Sequence, residues 1–325
     1  MKVLLLGATG LLGHNVLLRL MKGGHQVVAL VRRADGIRLE GQEWESVTGS
    51  LLDYNTLEKA ADGCNAIVNC AGTTDMSLRR YEDYLPVNKN LCEMLVRLMD
   101  EHEINVLVHV STVNTIGFGT DKTPADETAP MQPPFKGSFY ADSKTEGERI
   151  ILSAAKGSRH IVVINPGYML GPYDFKPTSG KMLLAAYKRP LMFAPKGGKA
   201  FVHVDDVAQA VVAALTKGIN GHRYIVVNRE GMLTIKQLYE LQAKVCGYRQ
   251  KILSCPDVLF KTAGFLGDML RWMGIKTQVS SRNIRQLLVR ENYDNSHAIN
   301  DLKLELMPLE RAISDFYECR KKYRI

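Results

Sequence analysis

The sequence has no apolar run long enough to cross a membrane, because charged residues interrupt its long apolar stretches before the ~20 residues that a spanning helix needs. The N-terminal segment is basic and then apolar, but it leads into glycines within a few residues, which predicts a first strand and not a signal peptide. None of the six cysteines has CxxC or metal-ligand spacing. We therefore predict a cytoplasmic protein with reduced thiols, no metal site and no transmembrane segment.

Extremes of composition are also absent. Apolar residues make up 46% and charged residues 23% of the chain, which excludes a disordered protein, a collagen or a coiled coil. The net charge of +8 is consistent with a nucleic-acid, membrane or small anionic partner. Because the basic residues are scattered and not interleaved with aromatic ones on one face, we predict no nucleic-acid partner.

Short β-rich runs alternate with longer amphipathic stretches over the first two thirds of the 325 residues. The predicted strands cover residues 2–6, 26–31, 46–48, 66–70, 106–110 and 161–165. The predicted helices cover residues 11–22, 55–61, 84–101 and 139–155. This alternation predicts right-handed βαβ crossovers and a doubly wound parallel sheet with both faces covered, an α/β fold.

The alternation stops near residue 170. We predict a loop over 171–199, one helix at 205–217, one strand at 223–227, and then mainly helices, at 235–246, 258–273, around 282–290 and at 309–322. Residues 1–170 and 201–228 would form the sheet domain, and residues 171–200 and 229–325 a smaller, mostly helical substrate lobe. Ligands of doubly wound sheets bind at the carboxyl ends of the strands, so this lobe should shape a pocket there.

A glycine motif follows the first strand directly. Gly7 permits the tight turn out of the strand, Gly10 lets the backbone approach a pyrophosphate, and Gly13 allows close packing of helix on strand. The N-terminus of the following helix then offers N–H groups and a positive dipole end to phosphates. Although the spacing is GxxGxxG and not GxGxxG, its place after an apolar strand predicts a dinucleotide site in a Rossmann fold.

The residues at the ends of the next strands suggest which dinucleotide binds. Arg32 and Arg33 stand where NAD-binding proteins usually have an acidic residue, which favours the 2′-phosphate of NADP(H), although Asp35 keeps NAD(H) open. Asp53 is a candidate for hydrogen bonding to adenine or, almost equally, for capping the next helix. Small residues end the fourth strand and would let the cofactor lie across the backbone: Cys70, Ala71 and Gly72.

Tyr140 and Lys144 lie four residues apart on one face of a predicted helix, so both side chains can reach one substrate. The ammonium and the positive nicotinamide are expected to lower the pKa of the phenol, which is otherwise near ~10. Thr112, at the end of the fifth strand, is the preferred hydroxyl for binding a substrate carbonyl, with Ser111 as its rival. A second Tyr-x-x-x-Lys, at residues 317–321, follows no strand with a hydroxyl and is rejected.

These motifs together resemble the short-chain dehydrogenase/reductases over about residues 1–230, in the extended or atypical branch that includes the NAD-dependent epimerases and dehydratases, the dihydroflavonol 4-reductases and the 3β-hydroxysteroid dehydrogenases. The resemblance implies a catalytic triad of Thr112, Tyr140 and Lys144, with Lys144 also holding the nicotinamide ribose. It implies that Asn88 supports the active site. The segment beside the nicotinamide would be Pro166, Gly167 and Tyr168. Further candidates for cofactor contact are Thr9, Leu11, Leu12, Leu52, Val110 and Met169.

Two enzymatic functions fit this resemblance. Arg32 and Arg33 favour an NADPH-dependent ketone reductase, while lysines at 174–181 and 196–199 could hold the diphosphate of a nucleotide sugar in an NAD-dependent epimerase. Asn165 stands where these epimerases commonly have arginine, and Val113-Asn114 replaces the acidic pair of the dehydratases, which we exclude. A non-catalytic binding protein would not need the triad. We expect a small-molecule substrate and a homodimer.

The predicted helix at 258–273 has two interpretations. It is amphipathic and rich in large apolar residues, and it has basic neighbours. It could cover the substrate pocket, which is the preferred interpretation, or lie on a membrane surface.

Overall fold

Seven parallel strands form the large sheet of this protein. The computed structural model describes residues 1–33 and 44–325. The strands are β1 (Lys2–Leu6), β2 (Gln26–Val31), β3 (Glu45–Thr48), β4 (Ala66–Asn69), β5 (Val106–Val110), β6 (His160–Pro166) and β10 (Arg223–Val226). Their order across the sheet is β10-β6-β5-β4-β1-β2-β3, and every pairing is parallel. The predicted doubly wound parallel sheet is therefore confirmed.

Alternating strand residues pack against helices on opposite faces of the sheet, as the pleat requires. Val3 and Leu5 belong to the core beneath one helix layer, and Leu4 and Leu6 to the core beneath the other, all with no exposed surface. The first layer contains α1 (Leu11–Lys22) and α6 (Val204–Ala213). The second contains α2 (Tyr54–Ala61), α3 (Leu91–Glu101) and α4 (Phe139–Ser153).

The predicted loop at 171–199 is wrong, because it contains short regular elements. They are α5 (Lys181–Ala186), β8 (Leu191–Ala194) and the start of β9 (Gly198–His203). β8 pairs in parallel with β12 (Lys251–Ser254), and β9 lies between β7 (Tyr168–Leu170) and β11 (Met232–Thr234). Elements of three to six residues show too few periods for sequence patterning to detect, and their partners are distant in the chain.

Helices dominate the rest of the C-terminal part. They are α7 (Ile235–Val245), α8 (Asp257–Trp272), α9 (Ser281–Leu287), α10 (Ser296–Leu302) and α11 (Leu309–Tyr323). α10, which the sequence did not predict, packs Ala298 and Leu302 into the core beneath α1 and α6. α7 and α11 share a separate core with α5 and β9. No helix in the described ranges is long and apolar enough to cross a membrane.

Candidate active site

The glycine motif lies where the strand order reverses, since β1 pairs with β4 on one side and β2 on the other. Gly7 has a φ of +82°, and a Cβ there would meet the Ala71 nitrogen at 2.8 Å, so this loop presses against the end of β4. A Cβ on Gly13 would lie 2.1 Å from the Gly7 carbonyl oxygen, which explains why the third position must be small. The result is a cradle of bare backbone at the N-terminus of α1, and it fits a dinucleotide pyrophosphate.

Three other residues of this loop, Thr9, Leu11 and Leu12, differ in the exposure of their side chains. The Leu12 side chain is 6% exposed and belongs to the core, and Leu11 packs partly against the same core. Thr9 is exposed. Contact with phosphates at Leu11 and Leu12 would therefore come from backbone N–H groups, whereas Thr9 could also offer its hydroxyl.

The Asn88 side chain forms two hydrogen bonds with the backbone of Thr73, the residue after Gly72. Its Oδ1 accepts a hydrogen bond from the Thr73 nitrogen at 2.8 Å, and its Nδ2 donates to the Thr73 oxygen at 3.1 Å and to the Ser143 Oγ at 3.0 Å. It sits in a π-helical turn, Pro86–Asn90, which replaces the first part of the helix predicted from residue 84. Such turns often occur at functional sites, and this one ties the end of β4 to α4.

Lys144 reaches the end of β5 from α4. Its Nζ donates to the Val110 carbonyl oxygen at 2.7 Å, and the residue is 3% exposed. A Cβ on Gly72 would lie 3.8 Å from this Nζ, so the lysine also faces the end of β4. Burial lowers the pKa of Lys144, while Cys92, Glu148 and Cys70 nearby oppose that shift.

The Thr112 side chain interacts with the phenol of Tyr140 and acts to lower its pKa. Burial raises the pKa of Tyr140, and the Thr112 contact only partly opposes it. The expected lowering of this pKa by Lys144 is not found, because the ammonium is bound to Val110 and burial is the larger effect. Ser111, the rival hydroxyl, has a buried Oγ without a hydrogen-bond partner among the described residues.

A buried polar cluster behind Thr112 was missed by the sequence analysis. One Glu148 oxygen accepts hydrogen bonds from Thr115 and Asn165 at 2.9 Å each, and the other accepts from Arg223 at 2.8 Å. Asn165 Nδ2 also donates to the Thr112 carbonyl oxygen at 3.0 Å, and the Thr115 hydroxyl lies 2.9 Å from that oxygen, so its single proton is shared between Glu148 and Thr112. The only sequence signal was that Glu148 follows Lys144 by four residues, which puts both on one side of α4.

The residues predicted at the adenosine end lie at the same edge of the sheet. Arg32 and Arg33 are exposed directly after β2, whereas Asp35 lies outside the described residues. Asp53 occupies the N-cap position of α2 and accepts a hydrogen bond from the Thr56 hydroxyl. Leu52 is 45% exposed.

The segment after β6 is held by close backbone packing. A Cβ on Gly167 would lie 2.2 Å from the Ala200 oxygen, so Pro166 through Met169 run tightly beside β9. The Tyr168 hydroxyl donates to the Ser179 oxygen at 3.2 Å. Lys199, a candidate for diphosphate binding, is instead paired with the buried Glu291. Lys199 thus neutralises the buried charge of Glu291.

The α8–α9 region borders the entrance to this site. The guanidinium of Arg282 lies 3.8 Å from the ring centre of Phe139, the residue before Tyr140. Arg271 donates to the backbone oxygens of Ser77 and Leu78, at 3.1 and 2.9 Å, in the loop that follows β4. The C-terminal part of the chain therefore lies beside the start of α4, the helix that carries Tyr140 and Lys144.

The second Tyr-x-x-x-Lys, at residues 317–321, makes none of its described contacts with the residues of this site. The Tyr317 hydroxyl donates to the Leu183 oxygen at 3.3 Å and accepts from Gln242 at 2.9 Å, and its ring stacks on Tyr187. These are packing contacts within the core of α5, α7 and α11.

Comparison with known proteins gives a consistent family. The family model described as "NAD dependent epimerase/dehydratase family" matches residues 3–228. The chain is 28% identical to sterol demethylase protein B of Methylococcus capsulatus, over 97% of each chain, and 26% identical to a putative dihydroflavonol 4-reductase of Synechocystis, over 95% of this chain and 91% of the other. It superposes on UDP-glucose 4-epimerase of Thermotoga maritima with a TM-score of 0.79 over 100% of both chains, at 18% identity.

Proposed function

Because the chain belongs to the NAD-dependent epimerase/dehydratase family, we propose that it is an NADPH-dependent reductase of a ketone on a small organic substrate. The observation that carries this proposal is that the Thr112 side chain interacts with the Tyr140 phenol, while Lys144 is bound to the end of the same strand, β5. A carbonyl oxygen that replaces this internal contact would receive hydrogen bonds from both hydroxyls. Tyr140 is the proton donor in this arrangement, and Thr112 fixes the orientation of the carbonyl.

The raised pKa of Tyr140 suits a proton donor, since the phenol keeps its proton until the substrate oxygen develops charge. Lys144 supplies a fixed positive charge at the end of β5 that favours the phenolate left behind. When bound, the nicotinamide supplies the hydride. The cradle at Gly7, Gly10 and Gly13 would hold its pyrophosphate, with the α1 N-terminus facing the phosphates.

Arg32 and Arg33 support NADPH over NADH. Both are exposed at the end of β2, beside the strand that carries the glycine loop. A guanidinium in this place can bind a 2′-phosphate through two hydrogen bonds. The substrate pocket would be completed by residues 171–200 and 229–325, as Arg282 beside Phe139 supports. One of the two relatives above is named a putative dihydroflavonol 4-reductase, and that name supports a reductase.

The alternative is a nucleotide-sugar epimerase with tightly bound NAD, which the likeness to UDP-glucose 4-epimerase keeps open. Two observations count against it. Lys199 is committed to Glu291, and Asn165, at the position that is arginine in many such epimerases, is buried and hydrogen-bonded to Glu148.

The test starts from the purified protein and identifies by mass the cofactor released from it. We then expect NADPH to be consumed with a panel of aryl, alicyclic and β-oxo ketones, and Tyr140→Phe to lower this turnover at least ~10²-fold while cofactor affinity stays unchanged. Tyr317→Phe, in the other Tyr-x-x-x-Lys, is the matched control and should retain activity. Stoichiometric NAD that does not exchange, with epimerisation of a nucleotide sugar, would refute the reductase proposal.

A further inference from the structure

Exposed large apolar side chains of the C-terminal part are concentrated on one helix, α8. Its exposed side chains recur at helical spacing and so form one continuous face, here called the α8 face: Val258, Leu259, Phe265, Leu266, Met269 and Trp272. Trp272 is 89% and Val258 68% exposed. Soluble monomers rarely expose apolar patches of this extent without a binding role.

The opposite side of α8 is packed against the chain that follows it, which determines the direction of the α8 face. A Cβ on Gly267 would lie 2.2 Å from the Val279 oxygen, and one on Gly264 would lie 3.0 Å from the Ser281 Cα. The glycines allow this close approach. The apolar residues are therefore directed away from the segment that follows α8.

Basic side chains border the α8 face. One open cleft, the arginine cleft, is lined by four arginines and one acidic residue, together with Trp272: Arg79, Arg271, Arg282, Arg285 and Asp268. Along residues 257–290 the acidic side chains are only Asp257 and Asp268, and the basic ones outnumber them: Lys261, Arg271, Lys276, Arg282, Arg285 and Arg290. A substantial part of the net charge of +8 is thus concentrated beside an apolar helix.

We propose that the α8 face and the arginine cleft together form a monotopic contact with an anionic lipid surface. The helix is 16 residues long, too short to span a bilayer, and its apolar side can enter the boundary between headgroups and acyl chains while the arginines bind anionic headgroups. A tryptophan at the helix end, next to Arg271, suits that boundary. A second copy of this chain fits less well, because a symmetric contact would bring two arginine clefts together.

The two tryptophans of the protein make the test direct. Trp44 packs partly against the main core, so Trp44→Phe leaves Trp272 as the reporter. In this variant we expect the emission to shift to shorter wavelength with vesicles of phosphatidylcholine and phosphatidylglycerol, much less with phosphatidylcholine alone, and less again at high salt. The assay uses neither cofactor nor substrate, so its failure would not affect the proposed reductase function.

Variants separate the two parts of the contact. Phe265→Asp with Leu266→Asp should lower the vesicle partition coefficient about tenfold or more, and Arg79→Gln or Arg285→Gln should lower it about fivefold per charge removed. Ile219→Asp, at a residue 50% exposed outside α8, is the matched control and should bind as the parent does. Retained cofactor binding and melting temperature in each variant confirm that the fold is intact.

Three results would overturn the proposal. The first is the absence of vesicle binding at low salt. The second is a Trp272 emission that is already short-wavelength in solution and shifts on dilution, which would identify a second copy as the occupant. The third is an equal shift with inorganic phosphate alone, which would assign the arginine cleft to a free anion.

Discussion

Glu148→Gln tests whether the buried cluster behind Thr112 holds the active site. The carboxylate is 3% exposed and accepts hydrogen bonds from three side chains at 2.8–2.9 Å. An amide keeps one oxygen, so at least one of these donors must face an NH₂ group. Hydrogen bonds to buried charges contribute about 1.5–3 kcal/mol each. The Arg223 side chain is a quarter exposed, so water can partly solvate its guanidinium when the ion pair is lost, and this lowers the cost of losing that bond. We therefore expect a loss of about 2–3 kcal/mol in the free energy of unfolding.

The same substitution should also reduce turnover. Asn165 and Thr115 bind both Glu148 and the Thr112 carbonyl oxygen, so loosening them displaces the hydroxyl that positions the substrate. We expect kcat for NADPH-dependent ketone reduction to fall about tenfold. Cofactor affinity should be unchanged, because the glycine loop lies between β1 and α1 and makes no described contact with this cluster. Thermal unfolding, with a drop of about 5 °C, measures the stability effect.

Two further variants determine what the result means. Arg223→Gln removes the ion pair and leaves the contacts of Glu148 with Asn165 and Thr115, so it should lower stability with little effect on kcat. Glu240→Gln, at a side chain 52% exposed in α7, should change stability by less than about 0.5 kcal/mol. A Glu148→Gln protein that melts and turns over like the Glu240→Gln control would refute the positioning role of the cluster.

Further predictions concern the glycine loop and a buried acid. In Gly13→Ala the new Cβ would lie 2.1 Å from the Gly7 oxygen, so chemical denaturation should show a loss of about 1–3 kcal/mol in the free energy of unfolding. In Gly10→Ala the Cβ would lie 3.4 Å from the same oxygen, so the variant should fold normally. Its methyl group would face the cofactor, and titration calorimetry should show weaker cofactor binding. Burial raises the pKa of Asp206 to about 7, above its value in the unfolded chain, so its contribution to stability falls as pH rises from about 4 to about 7. Asp206→Asn should therefore stabilise the protein relative to the parent more at pH 8 than at pH 5, and melting curves at both values would detect an absent or opposite trend.

Sequence patterning predicted the large sheet well because six of its seven strands are almost entirely buried, whereas the edge strand β3 is mostly exposed. The predicted bounds of β1, β2 and β5 agree with the structure, and those of β3, β4 and β6 differ by one or two residues. The small strands β8 and β12 were not predicted, because their partners are about 60 residues apart and neither strand alternates clearly. The π turn at Asn88 was read as ordinary helix, since its residues suit either geometry.

The candidate site could be predicted where a motif has a fixed spacing, and not where the chemistry depends on burial. Tyr140 and Lys144 are recognisable four residues apart in any such helix. Glu148 follows Lys144 by the same spacing of four residues, but a glutamate on an amphipathic helix is normally solvated. Only the positions of Asn165 and Arg223 in the structure show that it is buried and paired. Long-range contacts of this kind leave no local pattern in one sequence.

The internal partners of the lysines and arginines also indicate which of these residues are available to bind an anionic ligand. Buried or half-buried cations are engaged internally: Lys144 by the Val110 carbonyl, Lys199 by Glu291 and Arg223 by Glu148. Removing such a group from its partner would leave a buried acceptor without a donor, so these residues are costly to redirect toward a ligand. Arg79 and Arg285 in the arginine cleft are exposed, so turning their side chains toward an external anion leaves no buried acceptor without a donor. Arg271 and Arg282 in the same cleft are already engaged, with the Ser77 and Leu78 oxygens and with the Phe139 ring. We therefore expect Arg79 and Arg285 to contribute most to the binding of anions at this surface.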